Sequence, residues 1–285
     1  MPELPEVETI ARGVDKRIRG DRIVVAWFSS HREPFKTPSD IQAEGLRARP
    51  ILTVHRTGKH IVFELWHASK PEKSGAKSNP IFAQAQWIVH LGMTGRLLVS
   101  AADLPLSAHT HARLTLESGR ELRFVDPRRF GRLEFRDLVH GGGFEAPGSE
   151  PLAASPSQFA ELFHGRSLTI KAALLNQSLL AGVGNIYADE SLFHAGIRPS
   201  RRAGRLTKAE LERLRVALRK VLRQAIRKGG SSVSDYVDAD GERGFFQLEH
   251  RVYQRTGEPC LECGTLIRRT LIAGRGTHFC PACQR

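Results

Sequence analysis

The chain begins Met1-Pro2-Glu3-Leu4-Pro5-Glu6-Val7-Glu8-Thr9-Ile10, and this stretch predicts a helix around which the N-terminal fold is built. Proline is tolerated in the first turn of a helix, where its missing N–H breaks no intrahelical hydrogen bond. The three glutamates suit the positive end of the helix dipole. Apolar residues recur at helical spacing and form one stripe, namely Leu4, Val7, Ala11 and Val14. We therefore expect a helix that starts almost at the first residue and packs on a core.

The same stretch offers a nucleophile. Initiator methionine is usually removed when the next residue is small, which leaves the secondary amine of Pro2 at the new N-terminus. A free α-amino group has a pKa of about 7.7–8.0, so part of it is neutral and able to form a Schiff base with a sugar carbon. Glu3, the next residue, is suited to act as a general acid or base. The alternative interpretation is a well-capped helix without a chemical role.

The composition indicates a polyanionic partner. The 285 residues include 43 Lys and Arg against 30 Asp and Glu, which gives a net charge of +13. Such a balance is typical of proteins that bind nucleic acid, although an inert basic surface is the alternative. The sequence shows no signal peptide and no apolar run long enough to span a membrane, so we expect a cytoplasmic protein without a membrane partner.

The chain changes character near its middle. Short strands separated by turn residues predict a sandwich or barrel, at residues 22–30, 51–56, 60–66, 87–93, 95–99, 112–116, 121–125 and 131–135. The polar residues 67–80 predict an exposed, mobile loop, and residues 141–151 have the composition of a linker. Helices are then predicted at 157–164, 170–178 and 185–195, and a Thr207–Glu210 capping box opens a long helix that ends at 229–230.

The four cysteines form the most specific motif. Cys260 and Cys263 make one CxxC pair, and Cys280 and Cys283 make the second pair sixteen residues later. This spacing predicts one tetrahedral zinc ion, with the alternative of two CxxC pairs that bind no metal. Four thiolates leave no open coordination position, so we assign the zinc a structural role.

Three glycine-flanked turns are candidates for DNA contact. In Ala181-Gly-Val-Gly-Asn-Ile-Tyr-Ala-Asp-Glu190, Asn185 is expected as the N-cap of a helix whose free N–H groups bind a phosphate, or else the glycines serve only packing. Asp126-Pro-Arg-Arg-Phe130 places two arginines beside an aromatic ring, a combination suited to base edges and stacks, and Met93 lies on a comparable turn. The alternatives are a core Phe, a core Met and, for Lys59 on its own tight turn, a solvated side chain.

Together these motifs resemble the formamidopyrimidine-DNA glycosylases, a family that also includes endonuclease VIII. The resemblance spans nearly the whole chain in order. It rests on the first ten residues, Thr-Gly-Lys59, His-Leu-Gly-Met93-Thr-Gly, Asp-Pro-Arg-Arg-Phe130, Gly-Val-Gly-Asn185-Ile-Tyr-Ala-Asp-Glu, Val-Tyr253-x-Arg-x-Gly-Glu-Pro-Cys260 and Gly-Arg275-x-Thr-x-Phe-Cys-Pro-x-Cys-Gln.

The resemblance implies an α+β multidomain protein with DNA bound in a cleft. Its parts are a catalytic β-sandwich with the first helix packed on it at 1–137, a linker at 138–152, a helix–two-turn–helix module at 153–244 and a zinc-finger β-hairpin at 245–285. The segment from Gly229 to about Gly244 is implied to close over a flipped base. It departs from the family pattern, which leaves the base preference open.

The resemblance also assigns roles to the site residues. Pro2 is implied as the nucleophile at the sugar C1′, Glu3 as the acid that helps to open the ring and Glu6 as their support. Lys59 and Arg275 are implied to contact phosphates and to donate protons in the two elimination steps. Further DNA contacts are implied for a larger set, in which Met93, Arg128 and Phe130 fill the gap in the duplex: His90, Met93, Arg128, Arg129, Phe130, Lys171, Asn185 and Tyr253.

The implied function is that of a bifunctional DNA glycosylase and abasic-site lyase of base excision repair. We expect a monomer that binds double-stranded DNA, associates with the nucleoid through it, and excises 8-oxoguanine and formamidopyrimidines opposite cytosine by a Schiff base and β,δ-elimination. One alternative is an endonuclease VIII-like enzyme for oxidised pyrimidines. The other is a non-catalytic zinc-finger DNA-binding protein, which would need neither Pro2 nor Glu3.

Overall fold

A computed structural model describes residues 1–31, 34–66, 83–139, 141–232 and 237–285. The predicted loop at 67–80 lies outside these ranges. The helices are α1 (Leu4–Ile18), α2 (Ser39–Leu46), α3 (Pro156–Phe163), α4 (Ile170–Leu175), α5 (Asn185–Ala195) and α6 (Lys208–Arg227). The strands are β1 (Ile23–Phe28), β2 (Ile51–Thr57), β3 (His60–Leu65), β4 (Ala85–His90), β5 (Arg96–Ala101), β6 (Thr110–Leu116), β7 (Arg120–Val125), β8 (Arg132–Asp137), β9 (Arg268–Ile272) and β10 (Arg275–Phe279).

The chain divides into two compact units. Unit 1 comprises residues 1–2, 6–145 and 232–244, and unit 2 comprises residues 3–5, 146–231 and 245–285. In unit 1, two antiparallel four-stranded sheets have the orders β1-β6-β7-β5 and β2-β3-β4-β8. Both sheets contribute to one core cluster, and the apolar stripe of α1 joins it through Val7, Ile10, Ala11, Val14 and Ile18. The predicted β-sandwich with a packed first helix is confirmed.

Helix α2 was not predicted from the sequence. It follows Pro38 and has no side-chain N-cap hydrogen bond, so it lacks the usual sequence signal of a helix start. Its buried Gln42 accepts a hydrogen bond from Trp87 Nε1 (3.0 Å) and donates one to the Thr37 carbonyl (2.7 Å). The hydrogen bond between Gln42 and Trp87 therefore connects α2 to β4, a strand that is far from it in the sequence.

The second unit is helical with a terminal hairpin. The predicted capping box at Thr207 and Glu210 opens α6, and Gly196 ends α5 in the left-handed conformation with φ 68°. Helix α4 ends at Leu175, three residues earlier than expected, with Asn176 as its C-cap. Strands β9 and β10 form the antiparallel hairpin that was predicted near the cysteines.

The segment predicted to close over a flipped base is described except for residues 233–236. Ala239 is buried in the core cluster of unit 1, where its carbonyl accepts hydrogen bonds from Val99 N–H (3.2 Å) and from Arg17 (3.2 Å). The Cβ atom that a side chain at Gly13 would add lies 3.2 Å from Ala239 Cβ, so α1 approaches this segment closely.

Candidate active site and DNA interface

The first turn of α5 holds the side chain of Glu3. Glu3 is 5% exposed and accepts hydrogen bonds from Ile186 N–H (3.2 Å) and Tyr187 N–H (3.5 Å). The peptide that follows Glu3 is fixed as well, because Leu4 N–H donates to the Gly182 carbonyl at 3.0 Å. Helix N-terminal N–H groups stabilise negative charge. The helix start therefore fixes the carboxylate of a predicted catalytic residue.

This arrangement corrects one expectation. The N-cap of α5 is Gly184, not Asn185, and the predicted phosphate-binding N–H groups bind Glu3. Gly184 has an extended backbone (φ −129°, ψ −165°), which any residue can adopt. Its role is steric, because an added Cβ would lie 2.1 Å from Glu3 Cδ and 2.4 Å from Oε1.

Three further residues with predicted catalytic or supporting roles are buried. Pro2 and Glu6 are buried at the start of α1, Glu6 to 2% exposure. Lys59 is 9% exposed on the two-residue turn between β2 and β3, so the interpretation as a solvated turn lysine is wrong. Gly58 supplies the positive φ (59°) that the first position of a type II′ hairpin turn requires.

His90 is held as a neutral hydrogen-bond donor at the end of β4. It pairs across the sheet with His60, and the two ring centroids lie 4.8 Å apart. Burial, with His60 and Lys59 nearby, lowers the pKa of His90 to about 4. Its Nδ1 accepts a hydrogen bond from Gly92 N–H (3.1 Å). The proton of the neutral ring is therefore on Nε2, which can donate to a phosphate oxygen.

The three predicted gap-filling residues lie on two turns of unit 1. Met93 is 43% exposed and Phe130 is 49% exposed, so neither is a core residue. Arg128 places its guanidinium 4.9 Å from the centroid of the Phe130 ring. Arg129 is exposed and has a positive φ of 55°, which marks the sharp bend of its turn. The structure thus exposes one apolar tip on each turn.

Lys171 is fully buried in unit 2. It pairs with Asp189 in a short contact and donates to the Asn185 carbonyl (3.2 Å). Burial lowers the pKa of Lys171, while the Asp189 charge opposes that shift. The other oxygen of Asp189 accepts from the backbone N–H (2.9 Å) and ring Nδ1 (3.2 Å) of His278 on β10. The pair therefore links α4, α5 and the terminal hairpin.

Asn185 and Tyr253 lie beside the same hairpin. Asn185 Nδ2 donates to the Gly276 carbonyl (3.0 Å), next to the exposed Arg275. Burial raises the pKa of Tyr253, and a hydrogen bond with the Asn185 side chain opposes that shift. The backbone of Tyr253 donates to Glu190 at 2.8 Å. Unit 2 therefore brings together four predicted residues: Glu3, Lys171, Asn185 and Tyr253.

The four cysteine sulfurs form a site for one structural zinc ion. Their Sγ atoms all lie within 4.8 Å of one another, with 3.9 Å between Cys260 and Cys283 and 3.5 Å between Cys263 and Cys280. These distances exceed that of a disulfide bond. A tetrahedral zinc with Zn–S bonds of about 2.3 Å places its sulfurs roughly 3.8 Å apart. The donor set and its spacing therefore fit zinc, as the sequence predicted.

Sequence reasoning missed three buried carboxylates. Asp126 is 0% exposed beneath the Arg128 turn, Asp189 is 0% exposed and Glu190 is 1% exposed. Glu190 accepts the backbone N–H groups of three successive residues at 2.8–3.0 Å, namely Arg251, Val252 and Tyr253. Each acid belongs to a quoted motif. Asp189 and Glu190 have partners far away in the sequence, and Asp126 joins its own turn to Thr94, so the nearby sequence alone does not indicate these roles.

The chain matches three family models. They are the formamidopyrimidine-DNA glycosylase N-terminal domain at residues 1–133, the formamidopyrimidine-DNA glycosylase H2TH domain at 147–237, and a zinc finger found in FPG and IleRS at 257–285. None of the helices in the described ranges combines the length and apolar character needed to cross a bilayer.

Relatives and solved structures match over the full length. The formamidopyrimidine-DNA glycosylase of Solibacter usitatus is 44% identical over 291 residues, with 100% of both chains covered. That of Desulfitobacterium hafniense is 41% identical over 294 residues with the same coverage. The Lactococcus lactis Fpg in complex with abasic-site DNA superposes with a TM-score of 0.84 at 33% identity, covering 99% of each chain. The wild-type Lactococcus lactis enzyme with oxidised-pyrimidine DNA gives 0.83 at 32% identity, covering 100% of each chain.

This basic chain combines a buried Glu3 directly after Pro2 in the sequence, two turns with exposed apolar tips and a four-cysteine zinc site. The three domain matches cover most of the chain, and the identity to named relatives reaches 44% over its full length. The chain therefore belongs to the formamidopyrimidine-DNA glycosylases, base excision repair enzymes that combine glycosylase and lyase activity.

Proposed function

We propose that this enzyme excises oxidised purines, 8-oxoguanine and formamidopyrimidines, from positions opposite cytosine. Support comes from the names of its relatives and from a Lactococcus lactis Fpg variant solved with Fapy-dG-containing DNA, which superposes with a TM-score of 0.85 at 32% identity. The complex of the same bacterium's enzyme with abasic-site DNA supports the lyase step.

The observation that carries the chemistry is the anchoring of Glu3 at the start of α5. Its carboxylate is fixed by two backbone N–H groups, and Gly184 leaves just enough room for it. Pro2 is the residue directly before this anchor and is itself buried. A nucleophile directly next to a fixed residue meets the geometric demand of covalent catalysis better than one on a frayed terminus.

In the proposed reaction, the Pro2 nitrogen attacks C1′ and the bond from C1′ to the base breaks, so that the base leaves with the bonding electrons and takes up a proton from water. The proton that the nitrogen must then lose passes through Glu3 to the ring oxygen O4′, which opens the sugar and leaves an iminium ion, the protonated form of the Schiff base. Loss of a C2′ proton expels the 3′ phosphate, and loss of a C4′ proton in a second elimination expels the 5′ phosphate. Lys59 and Arg275 hold the two phosphates and assist these proton transfers, and Glu6 supports the first residues of α1.

The remaining assignments concern DNA binding. His90 donates from Nε2 to a phosphate, and Asn185 and Tyr253 hold others beside the hairpin. Lys171 acts from beneath them, since its ammonium is fully buried against Asp189. Further contacts come from the two exposed turns, with Arg129 outside the duplex and three residues inserted in the gap: Met93, Arg128 and Phe130.

The zinc ion has no step in this reaction. Cys260, Cys263, Cys280 and Cys283 would hold it, and its tetrahedral shell would be complete with four thiolates, so it stabilises the hairpin that carries Arg275. We further propose the domain limits expected from the sequence, a monomeric enzyme, and a cytoplasmic, nucleoid-associated location. A reducing compartment keeps the cysteines available as thiolates.

The test is borohydride trapping on duplexes that carry either 8-oxoguanine or thymine glycol opposite cytosine or adenine. Borohydride reduces the imine to a stable amine, so the wild-type enzyme should be cross-linked to 8-oxoguanine:cytosine DNA. Peptide mapping should place the adduct on residue 2, and only on chains that have lost Met1. An adduct on a lysine such as Lys59 or Lys171 would reject the assignment.

Oxidised pyrimidines are a second candidate substrate class. The Lactococcus lactis complex with oxidised-pyrimidine DNA favours including them. Faster trapping on thymine glycol than on 8-oxoguanine would make oxidised pyrimidines the preferred substrates and oxidised purines the second class. Equal Met1 removal in both reactions, checked by intact mass, makes the comparison valid.

A further inference from the structure

One buried carboxylate lies between the two turns that carry the exposed apolar tips. Asp126 is 0% exposed, and its Oδ1 accepts hydrogen bonds from Thr94 Oγ1 (2.6 Å) and Arg128 N–H (3.3 Å). Its Oδ2 accepts from Gly131 N–H at 2.8 Å. Thr94 follows Met93 on the first turn, while Arg128 and Gly131 bracket Phe130 on the second. A single side chain thus bonds to both turns.

We propose that Asp126 is a positioning residue for base extrusion, which sets the spacing between Met93 on one turn and Arg128 and Phe130 on the other. This inference rests on the proposed function, in which those three side chains fill the gap in the duplex. Unstacking a base costs a few kcal/mol, so a wedge that is already rigid performs the step more efficiently.

The backbones of the two turns touch directly. A Cβ added at Gly92 would lie 2.4 Å from the Phe130 carbonyl carbon and 2.5 Å from Gly131 N. A Cβ added at Gly131 would lie 2.5 Å from the Phe124 ring and 3.0 Å from the His90 carbonyl oxygen. Glycine at both positions permits this contact. The carboxylate supplies the hydrogen bonds that fix the register of the two turns.

Asp126 is itself held firmly through its backbone. Its N–H donates to the His109 carbonyl (3.0 Å), and its carbonyl accepts from Arg129 N–H (3.2 Å) and lies 3.0 Å from His111 Nε2. The other nitrogen of His111 lies 3.1 Å from Ser29 Oγ. The anchor therefore extends into the sheet of β1 and β6, so that a displacement of Asp126 would disturb its contacts with that sheet.

The chemistry of the contact requires a carboxylate. Both oxygens of Asp126 accept hydrogen bonds, whereas an asparagine offers one acceptor oxygen and a donor amide. Asp126→Asn keeps the shape but sets an N–H group against either Gly131 N–H or Arg128 N–H. Thr94→Val removes a single bond and leaves the rest, and Thr94→Ser retains the hydroxyl. These three variants form a graded series.

Two measurements on the full zinc-loaded chain separate positioning from general stability. The first is single-turnover excision on an 8-oxoguanine:cytosine duplex, together with the fluorescence of 2-aminopurine beside an uncleavable abasic analogue, which reports unstacking. The second is cleavage of an abasic single strand, which has no base to extrude. The exposed Asp103 gives the matched control, Asp103→Asn.

Asp126→Asn should lower duplex excision at least tenfold and the 2-aminopurine response at least threefold, while cleavage of the abasic single strand stays within twofold. Thr94→Val should lie between this variant and the wild type, and Thr94→Ser and Asp103→Asn should match the wild type. Unchanged duplex readouts, or equal losses on duplex and single strand, would overturn the proposal. Failure of the wild type to excise would reject the proposed function instead, because the fluorescence readout requires no excision.

Discussion

Gly184→Ala tests whether the start of α5 fixes a catalytic carboxylate. The backbone at this position is extended, so alanine introduces no conformational strain. The new Cβ would lie 2.1 Å from Glu3 Cδ, whereas ordinary van der Waals contact begins at 3.4 Å. The carboxyl group must therefore move by at least about 1.3 Å, because the clash is with that side chain.

The structure sets the expected size of the loss in stability and of the loss in excision rate. A hydrogen bond to a charged group contributes about 1.5–3 kcal/mol, and the distances from Glu3 to Ile186 N and Tyr187 N are long, at 3.2 and 3.5 Å. We expect unit 2 to lose about 2 kcal/mol in total, which corresponds to a fall in Tm of roughly 4–8 °C. A misplacement of about 1 Å at a reacting group costs on the order of 100-fold in rate.

The assay is single-turnover excision of 8-oxoguanine opposite cytosine, with binding to an uncleavable abasic duplex measured in parallel. Excision should fall about 100-fold, and binding should change by less than about threefold, because the phosphate contacts remain. Gly142→Ala is the matched control, since a Cβ at Gly142 meets nothing within 4 Å. In a Glu3→Ala background, Gly184→Ala should have little further effect because its clash partner is gone.

Excision by Gly184→Ala within threefold of the wild type would refute the reasoning, since the clash would then be absorbed without moving Glu3. The reasoning would also be refuted if Gly184→Ala lowered excision as much in the Glu3→Ala background as it does in the wild type. The glycine would then act through α5 itself, and the carboxylate would have no special place at the helix start.

Three further outcomes are expected. Cys263→Ser should lose zinc, measured by elemental analysis, and weaken DNA binding while the near-UV circular dichroism of unit 1 persists; a wild type without zinc would contradict the site. Arg128→Ala should reduce the preference for 8-oxoguanine opposite cytosine over adenine by about tenfold, because a bidentate base contact discriminates by roughly 1–3 kcal/mol; an unchanged ratio of rates would contradict it. Burial lowers the pKa of His60 and His90 from 6.5 to about 4, so the unfolded chain binds more protons and the free energy of unfolding should fall as the pH drops from about 6.5 to 4. Urea titrations across this window check the sign, and His60→Asn should flatten the dependence.

Most of the framework was predictable because it depends on local chemistry. All eight strands of the sandwich, the first helix and the Thr207 capping box follow from periodicity, turn residues and caps. Helix α2 was not predicted because its start has no side-chain cap. The burial of its polar Gln42 is explained by hydrogen bonds with Thr37, Leu133 and Trp87. Distant partners of this kind leave no mark on the nearby sequence.

The candidate site was predictable to a different degree. The cysteines were located by spacing alone, and the exposed tips Met93 and Phe130 were found on the turns where they were expected. The prediction for the start of α5 was wrong, because the sequence indicated a bound phosphate and the structure has the Glu3 carboxylate there. A sequence shows that a helix start has free N–H groups, but not which carboxylate will reach them. Glu3 is 183 residues away from the N–H group that it binds.

Three buried carboxylates of this DNA-binding protein each connect separate parts of the chain. Asp126 supports the two exposed turns, Asp189 holds Lys171 and His278, and Glu190 holds the turn that contains Tyr253. A carboxylate that is exposed to a phosphate repels it, whereas a buried carboxylate accepts hydrogen bonds from backbone N–H groups and holds a loop firmly. Burial raises the pKa of Glu190, and its three backbone hydrogen bonds oppose that cost. These acids thus stabilise the fold, while the chain as a whole carries a net charge of +13, which favours binding to DNA.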